Sequence, residues 1–307
     1  MRIEILGTAA GGGFPQWNCA CRNCAAVRRG SFAGKSRTQL QIAVSQDDHA
    51  WVLLGASPDL HAQIENNRFL HPRDVMRDSP IAGVVLTSAD VDQTLGLLLL
   101  REFQPIHIFA TESVRRVLVE DNSMFSMLNR MPRQATWQTI CPGVCFQFPP
   151  GEGSAIAYFP VSLGNRFPSY VAANRAAMLN VMESTMGLIL KSESGRTLGY
   201  FPAVGRVDEQ SLRHLDTLDA LLFDGTFWRD TELIDVQMGA QTAREMGHIP
   251  VSSDSGSLAL LSNIRCPRKI FVHINNTNPM LDESGPEYRQ VRDAGWEIAE
   301  DGCHLEL

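Results

Sequence analysis

The sequence predicts an α/β protein in which helices cover two mixed β-sheets. Short apolar runs rich in β-branched residues recur along the chain, segments of helical character separate them, and at least one pair of runs is joined by a tight turn. With 307 residues, 44% of them hydrophobic, the chain is long enough to bury one large core. We therefore predict a single domain over residues 1–307.

The first half of the chain predicts strands, a hairpin and two helices. Alternating apolar residues predict a strand over residues 2–6, and two β-rich runs at 40–45 and 51–54 flank the turn sequence Gln46-Asp47-Asp48-His49, which predicts a hairpin. A helix is expected from residue 58, a buried strand over 81–87, a helix over 95–102 and a strand over 106–110.

The second half continues the alternation of strands and helices. It predicts a helix over residues 113–119 and then four strands, at 187–191, 198–201, 218–223 and 270–274. Residues 149–182 lack clear periodicity and contain clusters of Gly, Pro, Ser and Asn. They predict a long irregular segment, either a functional loop or a plain surface excursion.

Charge and hydropathy exclude several classes of partner. The net charge is −7, and the 27 basic residues are scattered rather than gathered into a stripe that would neutralise phosphates, which disfavours nucleic acid. No apolar run approaches the roughly 20 residues of a membrane helix, and the first residues do not have the pattern of a signal peptide. We expect a cytoplasmic protein with no nucleic-acid or membrane partner.

The strongest local motif is a group of three cysteines within six residues, Cys19-Ala20-Cys21-Arg22-Asn23-Cys24. Thiolates at this spacing converge on a tetrahedral zinc ion, with a fourth ligand supplied from elsewhere in the chain. The alternative, three buried free thiols, would be an oxidation liability. The motif therefore predicts a structural zinc site.

A second group of candidates follows the ends of predicted strands. Asp90 and Asp92 come after the strand ending at residue 87, Asp224 follows an apolar run, and His273 lies at the end of another. Together with His248 they are residue types that build sites at strand carboxyl ends. Each has a simpler interpretation, as a helix cap for the acidic residues or as a hydrogen-bonded core residue for a histidine.

Six blocks of sequence, in collinear order along the whole chain, carry a resemblance to a known family. They are Gly11-Gly12-Gly13-Phe14-Pro15-Gln16-Trp17-Asn18-Cys19, Ala56-Ser57-Pro58-Asp59, Gly96-Leu97-Leu98 with Arg101-Glu102, Phe223-Asp224-Gly225-Thr226, Arg244-Glu245-Met246-Gly247-His248 and Val272-His273-Ile274-Asn275-Asn276-Thr277-Asn278-Pro279. Together they resemble the coenzyme PQQ synthesis protein B family of the metallo-β-lactamase superfamily.

The resemblance implies a four-layer αββα sandwich and a place in the synthesis of pyrroloquinoline quinone (PQQ) from a Glu–Tyr unit. Members of the family are described as iron-dependent oxygenases that hydroxylate the tyrosine ring, or as carriers of PQQ or a precursor. It thus implies a small-molecule or dipeptide PQQ precursor as the partner, with a homodimer left open as the oligomeric state.

The resemblance also identifies where this chain departs from its relatives. Superfamily hydrolases carry H-x-H-x-D-H where this chain has Ser88-Ala89-Asp90-Val91-Asp92-Gln93, so that only Asp92 is kept. Family members commonly have His in place of Gln93, and the bridging aspartate of the hydrolases aligns near Ala203. A two-zinc hydrolase site needs more N and O ligands than remain, which favours one Fe(II) over two zinc ions.

These arguments give three sets of expected site residues. The catalytic set is Asp90, Asp92, His248 and His273; the cofactor-binding set is Gln93 and Asp224; and the zinc set is Cys19, Cys21, Cys24 and Asn276. Asn276 enters because a phosphodiesterase branch of the superfamily, which shares the cysteine loop, takes its fourth ligand three residues past the position of His273. Structural Zn²⁺ and a pocket-bound Fe²⁺ are the expected cofactors. A non-catalytic carrier is the alternative function, and a metallohydrolase is disfavoured.

Overall fold

The computed structural model describes residues 1–73, 75–102, 104–149, 155–164 and 166–307. The strands in these ranges are β1 (Arg2–Gly7), β2 (Gln41–Ser45), β3 (Trp51–Leu54), β4 (Ile81–Val85), β5 (Ile106–Ala110), β6 (Ala135–Thr139), β7 (Ala157–Ser162), β8 (Met186–Lys191), β9 (Thr197–Phe201), β10 (Ala220–Asp224), β11 (Arg268–Val272), β12 (Trp296–Ile298) and β13 (Cys303–Glu306).

The α-helices are short and lie between the strands. They are α1 (Arg22–Arg28), α2 (Leu60–Glu65), α3 (Val91–Thr94), α4 (Glu112–Val119), α5 (Ala173–Ala176), α6 (Glu209–Leu215), α7 (Glu232–Asp235), α8 (Ser257–Leu260) and α9 (Pro286–Asp293). Turns of 3₁₀-helix occur at Arg68–Leu70, Leu95–Leu100, Ser123–Asn129, Val181–Glu183 and Pro279–Leu281. No helix of the described ranges is both long and apolar enough to span a bilayer.

The chain divides into two compact units. The first comprises residues 1–6, 40–196 and 302–307, and the second comprises residues 7–39 and 197–301. The single domain expected from the sequence stays a prediction. The strands form two sheets, and parallel and antiparallel pairs both occur, so the predicted α/β class with mixed strand directions is confirmed.

The first unit is built on a seven-stranded sheet in the order β13-β1-β2-β3-β4-β5-β6. β2 and β3 are antiparallel, whereas β3 to β6 run parallel. The predicted hairpin turn forms because the Asp47 carboxylate accepts hydrogen bonds from the backbone N–H groups of His49 and Ala50, while Asp48 adopts φ 63°. Every residue of β2 and β3 is buried, as expected for strands covered on both faces.

The second unit carries four parallel strands in the order β9-β10-β11-β12. Because parallel strands end at one edge of a sheet, Asp224 at the end of β10 and His273 after β11 lie at the same edge. Gly225 follows Asp224, and a Cβ there would lie 2.9 Å from the Cβ of Phe271. Because Gly225 has no side chain, the backbone after β10 can pass close to β11.

The helix predicted over residues 95–102 forms as a 3₁₀-helix over residues 95–100. The prediction of a wholly irregular segment over residues 149–182 was wrong. Within the segment expected to be irregular, residues 157–162 form β7, which pairs antiparallel with β8 over six residues. Pro160 hides this strand in the sequence, and it is tolerated because β7 is the last strand of its sheet. Residues 150–154 and 165 of that segment lie outside the described residues.

Candidate metal centres

The three motif cysteines of the second unit form one cluster, called here the cysteine cluster. The Sγ atoms of Cys19, Cys21 and Cys24 all lie within 4.8 Å of one another. Helix α1 produces this arrangement because Cys21 is its N-cap, so the first turn places Cys24 on the side of Cys21. Cys19 and Cys24 are buried, and all three are free thiols.

Asn276 lies against this cluster, as the sequence interpretation expected of a fourth group. Its Nδ2 is 3.1 Å from the Sγ of Cys19, 3.6 Å from that of Cys21 and 3.4 Å from that of Cys24. The backbone of Asn276 is held in turn by Asn23, whose Nδ2 donates to its carbonyl oxygen at 3.1 Å. A half-turn of the Asn276 amide would direct its oxygen at the sulfur atoms.

The protonation of the cluster is uneven. Burial raises the pKa of Cys21, but hydrogen bonds from the Cys24 backbone and from the Cys19 and Asn276 side chains outweigh it, and the net pKa is lowered. Burial raises the pKa of Cys24 to about 12. A cation bound by the three sulfur atoms would favour the thiolate form of each.

A second group that can hold a metal lies at the carboxyl edge of β10 and β11. One ligand atom each of Asp224, His248 and His273 lies within 4.8 Å of the others. We call these three residues the histidine cluster. The imidazole rings are stacked, with centroids 5.4 Å apart and an interplanar angle of 21°. His273 is buried and His248 is 12% exposed at its side chain.

Asp224 is fully buried and accepts four hydrogen bonds. Oδ1 accepts from the backbone N–H of Thr226 at 3.0 Å and from its hydroxyl at 2.6 Å. Oδ2 accepts from the backbone N–H of Val204 at 2.8 Å and pairs with Nδ1 of His248 at 2.8 Å. Burial raises the pKa of this carboxyl, but the His248 charge, the hydrogen bonds and His273 outweigh it, so the net pKa is lowered. The lowered pKa favours the carboxylate form of Asp224, and both of its oxygens are engaged in hydrogen bonds that orient neighbouring groups.

The backbone around His273 is held in an unusual conformation. His273 has φ 56°, a left-handed value that a residue with a side chain adopts only where the surroundings enforce it. Hydrogen bonds at the next two residues hold this conformation. The N–H of Ile274 donates to the carbonyl of Thr8, and the N–H of Asn275 donates to the carbonyl of Thr226. The turn directs the His273 side chain toward Thr226 rather than along the sheet.

The remaining predicted residues lie in the first unit. Asp90 precedes α3, and its carboxylate accepts from the Ser88 hydroxyl at 2.8 Å. Asp92 lies in the first turn of α3 and accepts weakly from Nε2 of Gln93 at 3.4 Å. Gln93 is buried, and its Oε1 has no hydrogen-bond partner among the described residues. A buried acceptor without a donor is costly to the folded state.

The sequence comparisons cover the whole chain. Residues 50–274 match the model of the β-lactamase superfamily domain. Coenzyme PQQ synthesis protein B of Methylorubrum extorquens (strain PA1) is 40% identical over 307 residues, and that of Acinetobacter baumannii (strain ACICU) is 36% identical over 308, each alignment covering 100% of both chains. The chain belongs to the coenzyme PQQ synthesis protein B family. Its role is accordingly in PQQ biosynthesis.

Solved structures agree with the family and fix the fold. The crystal structure of Zn²⁺-bound PqqB from Methylobacterium extorquens superposes with a TM-score of 0.92 at 40% identity, with 100% of both chains covered. A diphosphatase of the PhnP family superposes with a TM-score of 0.69 at 19% identity over 100% of this chain and 97% of the other, which supports the fold alone. The predicted metallo-β-lactamase fold is thus confirmed.

The structure brings some of the expected site residues together and leaves others apart. The structure gathers Cys19, Cys21 and Cys24 with Asn276, and gathers Asp224 with His248 and His273. Neither group of three ligand atoms in the described ranges includes Asp90 or Asp92. The sequence interpretation missed Thr226, which contacts every member of the histidine cluster. Its signal is a hydroxyl two residues after an aspartate that ends a buried strand.

Proposed function

We propose that the chain is an iron-dependent oxygenase of PQQ biosynthesis, which hydroxylates the tyrosine ring of a Glu–Tyr-derived precursor. The observation that carries the proposal is the histidine cluster, which places His273 beside His248 and Asp224 at the carboxyl edge of the parallel strands. Imidazole and carboxylate ligands suit non-haem iron. Bound Fe(II) would supply the activation of O₂.

His273 and His248 of the second unit are assigned different roles in the proposed reaction. We assign His273 as an iron ligand, since its backbone conformation is held by bonds on both sides. His248 is assigned to proton transfer at Nε2, because its Nδ1 is paired with Oδ2 of Asp224 at 2.8 Å and the ring is thereby held in place. Asp90 and Asp92 of the first unit remain proposed catalytic residues, and Gln93 a proposed cofactor-binding residue, on the strength of the family resemblance.

We propose separately that the cysteine cluster holds a structural zinc ion. Three sulfur atoms within 4.8 Å and an amide against all of them fit a closed tetrahedral site. Asn276 would supply the fourth ligand through its oxygen. The cluster of free thiols also supports a cytoplasmic location, since reduced cysteines are typical of that compartment.

A specific observation favours the alternative of a non-catalytic carrier for PQQ or its precursor. The family resemblance implies His at position 93, where this chain has Gln, and the neutral amide is a weaker ligand than imidazole for iron. A carrier would bind the precursor without altering it. The metallohydrolase is disfavoured because Ala203, Ser88 and Gln93 replace groups that a two-metal site requires.

Anaerobic reconstitution followed by a single turnover separates these alternatives. The zinc-loaded chain, supplied with Fe(II), a reductant, the Glu–Tyr-derived precursor and ¹⁸O₂, should yield a product that carries ¹⁸O on the tyrosine ring. His273→Ala should yield none at unchanged zinc content. Precursor binding without ¹⁸O incorporation would support the carrier, and product formation without iron would exclude the oxygenase.

A further inference from the structure

Thr226 is the only residue of the described ranges whose side chain is recorded in contact with all three members of the histidine cluster. Its Oγ1 is 2.6 Å from Oδ1 of Asp224, 2.8 Å from Nδ1 of His273 and 3.1 Å from Nδ1 of His248. The residue is buried. A hydroxyl carries one hydrogen, so it can donate to only one of these three groups and must accept from the others.

The chemistry of Asp224 decides where that hydrogen points. Both oxygens of Asp224 accept backbone N–H groups, Oδ1 from Thr226 at 3.0 Å and Oδ2 from Val204 at 2.8 Å, as the oxygens of a carboxylate do. At 2.6 Å, an Oγ1 that did not donate to Oδ1 would place two acceptors in contact with no hydrogen between them. The Thr226 hydroxyl must therefore donate to Asp224, and its lone pairs face the two imidazoles.

The protonation of His273 follows from this direction. Nδ1 of His273 lies 2.8 Å from an oxygen whose hydrogen is already committed elsewhere, so Nδ1 must itself carry the hydrogen that joins them. A neutral imidazole protonated at Nδ1 has its lone pair on Nε2. The same reasoning applies to His248, whose Nδ1 lies 2.8 Å from Oδ2 of Asp224.

The position of the hydroxyl is fixed by the backbone. The carbonyl of Thr226 accepts from the Asn275 N–H at 3.0 Å and from Nδ2 of Asn278 at 3.3 Å. Its N–H donates to Asp224 at 3.0 Å. Since both peptide groups of Thr226 are held and threonine is restricted at χ1, the oxygen has little freedom to leave His273.

We infer that Thr226 is a positioning residue: its hydroxyl, directed by Asp224, fixes His273 in the tautomer with hydrogen on Nδ1 and so presents the basic Nε2 to a metal ion. The metal part of this inference rests on the proposed function. The tautomer itself does not, because it is argued from the contacts of the Thr226 hydroxyl with Asp224 and His273. Partners of this kind commonly change metal affinity 10- to 100-fold when they are removed.

Nuclear magnetic resonance of ¹⁵N-histidine-labelled protein tests the tautomer directly. The full chain is loaded with zinc, kept free of iron and measured at about pH 8, where an ordinary imidazole is neutral. Long-range ¹H–¹⁵N correlations distinguish a protonated Nδ1 from a protonated Nε2, and the signals of His273 are identified by their loss in His273→Gln. Wild type should show hydrogen on Nδ1 of His273, and hydrogen on Nε2 would overturn the inference without recourse to any variant.

Two substitutions and one control then test the role of the hydroxyl. Thr226→Val keeps the shape and removes the hydroxyl, Thr226→Ser restores it, and Thr231→Val removes an exposed hydroxyl of the same unit. Thr226→Val should release His273 into a mixture of tautomers and weaken Fe(II) binding at least about tenfold, whereas Thr226→Ser should stay within about threefold of wild type.

The results separate this inference from the proposed function. An unchanged tautomer and unchanged affinity in Thr226→Val would overturn the inference, and so would equal losses in Thr226→Val and Thr226→Ser, which would assign Thr226 to packing. If Thr226→Val does not fold, the wild-type tautomer and the serine variant still decide. Absence of iron-dependent hydroxylation with the expected tautomers would refute the proposed function and leave the hydrogen-bond assignment standing.

Discussion

Replacing Asp224 with asparagine perturbs a buried side chain of the second unit that takes part in four hydrogen bonds. The two side chains have nearly the same shape, but the amide has an NH₂ group where the carboxylate has an acceptor oxygen. Each carboxylate oxygen accepts one backbone N–H, from Thr226 at Oδ1 and from Val204 at Oδ2. Whichever way the amide is turned, its NH₂ group therefore faces a backbone donor that cannot turn away.

The expected loss of stability can be worked from these bonds. One buried N–H left without a partner costs about 1–3 kcal/mol, and each of the three remaining bonds loses its charge assistance, about 1 kcal/mol apiece. A neutral amide costs less to bury than a carboxylate, and this offsets part of the lost stability. The net change in the free energy of unfolding should be a loss of about 2–4 kcal/mol.

Urea unfolding of the zinc-saturated protein, followed by tryptophan fluorescence, measures this loss. Asp208→Asn is the matched control, because Asp208 also accepts from a backbone N–H but is exposed at the start of α6. The control should change the free energy of unfolding by no more than about 0.5 kcal/mol. Equal stabilities of the two variants would show that the hydrogen bonds of Asp224 do not stabilise the unit as argued.

Three further predictions concern metal binding and pH. Gln93→His should raise the affinity for Fe(II) at least about tenfold, roughly 1.4 kcal/mol, in an anaerobic titration. Wild type should bind Fe(II) weakly, and the exposed control Gln290→His should bind it as weakly as wild type. Equal affinities of Gln93→His and wild type would show that residue 93 is not a ligand. Cys21→Ser should lower the zinc content from about one per chain and lower the thermal unfolding temperature; wild type purified without chelator and free of zinc would contradict this. Burial raises the pKa of Glu232 to about 7 from an ordinary value near 4.5, so the folded state binds the proton more tightly and stability from this group falls as pH rises from about 4.5 to 7. Relative to Glu232→Gln, wild type should therefore lose about 2 kcal/mol between about pH 5 and pH 7.5, and a difference between the two that does not change with pH would contradict the burial argument.

The parts of the molecule that sequence predicted are those determined by neighbouring residues. β3 and β5 appear where apolar runs are flanked by turn residues, and the hairpin turn forms because Asp47 bonds within its own loop. The cysteine cluster is local for the same reason, since its three sulfur atoms come from six consecutive residues. β7 was missed because it contains Pro160 and because its pairing with β8 joins segments that are distant in sequence.

The parts that sequence did not predict depend on contacts between distant segments. Thr226 was not among the predicted site residues, because its contact with His273 joins positions 47 residues apart in the sequence. The contacts of Asp224 were likewise not predictable, because its oxygens accept from Val204, Thr226 and His248, which lie up to 24 residues away; its binding of a cofactor stays a prediction. For Gln93 only the family resemblance drew attention to the position, and the structure adds that its amide oxygen is buried without a recorded donor.

The central claim is that this member of the family keeps a single iron site, with His273 as a ligand, beside a separate zinc held by cysteines. An anaerobic Fe(II) titration of zinc-loaded wild type and His273→Ala, with iron and zinc counted per chain at each point, tests it most directly. The account predicts one weak, saturable iron site in wild type that is absent from His273→Ala, with about one zinc in both. Iron binding that survives in His273→Ala, or no saturable iron site in wild type, would contradict it.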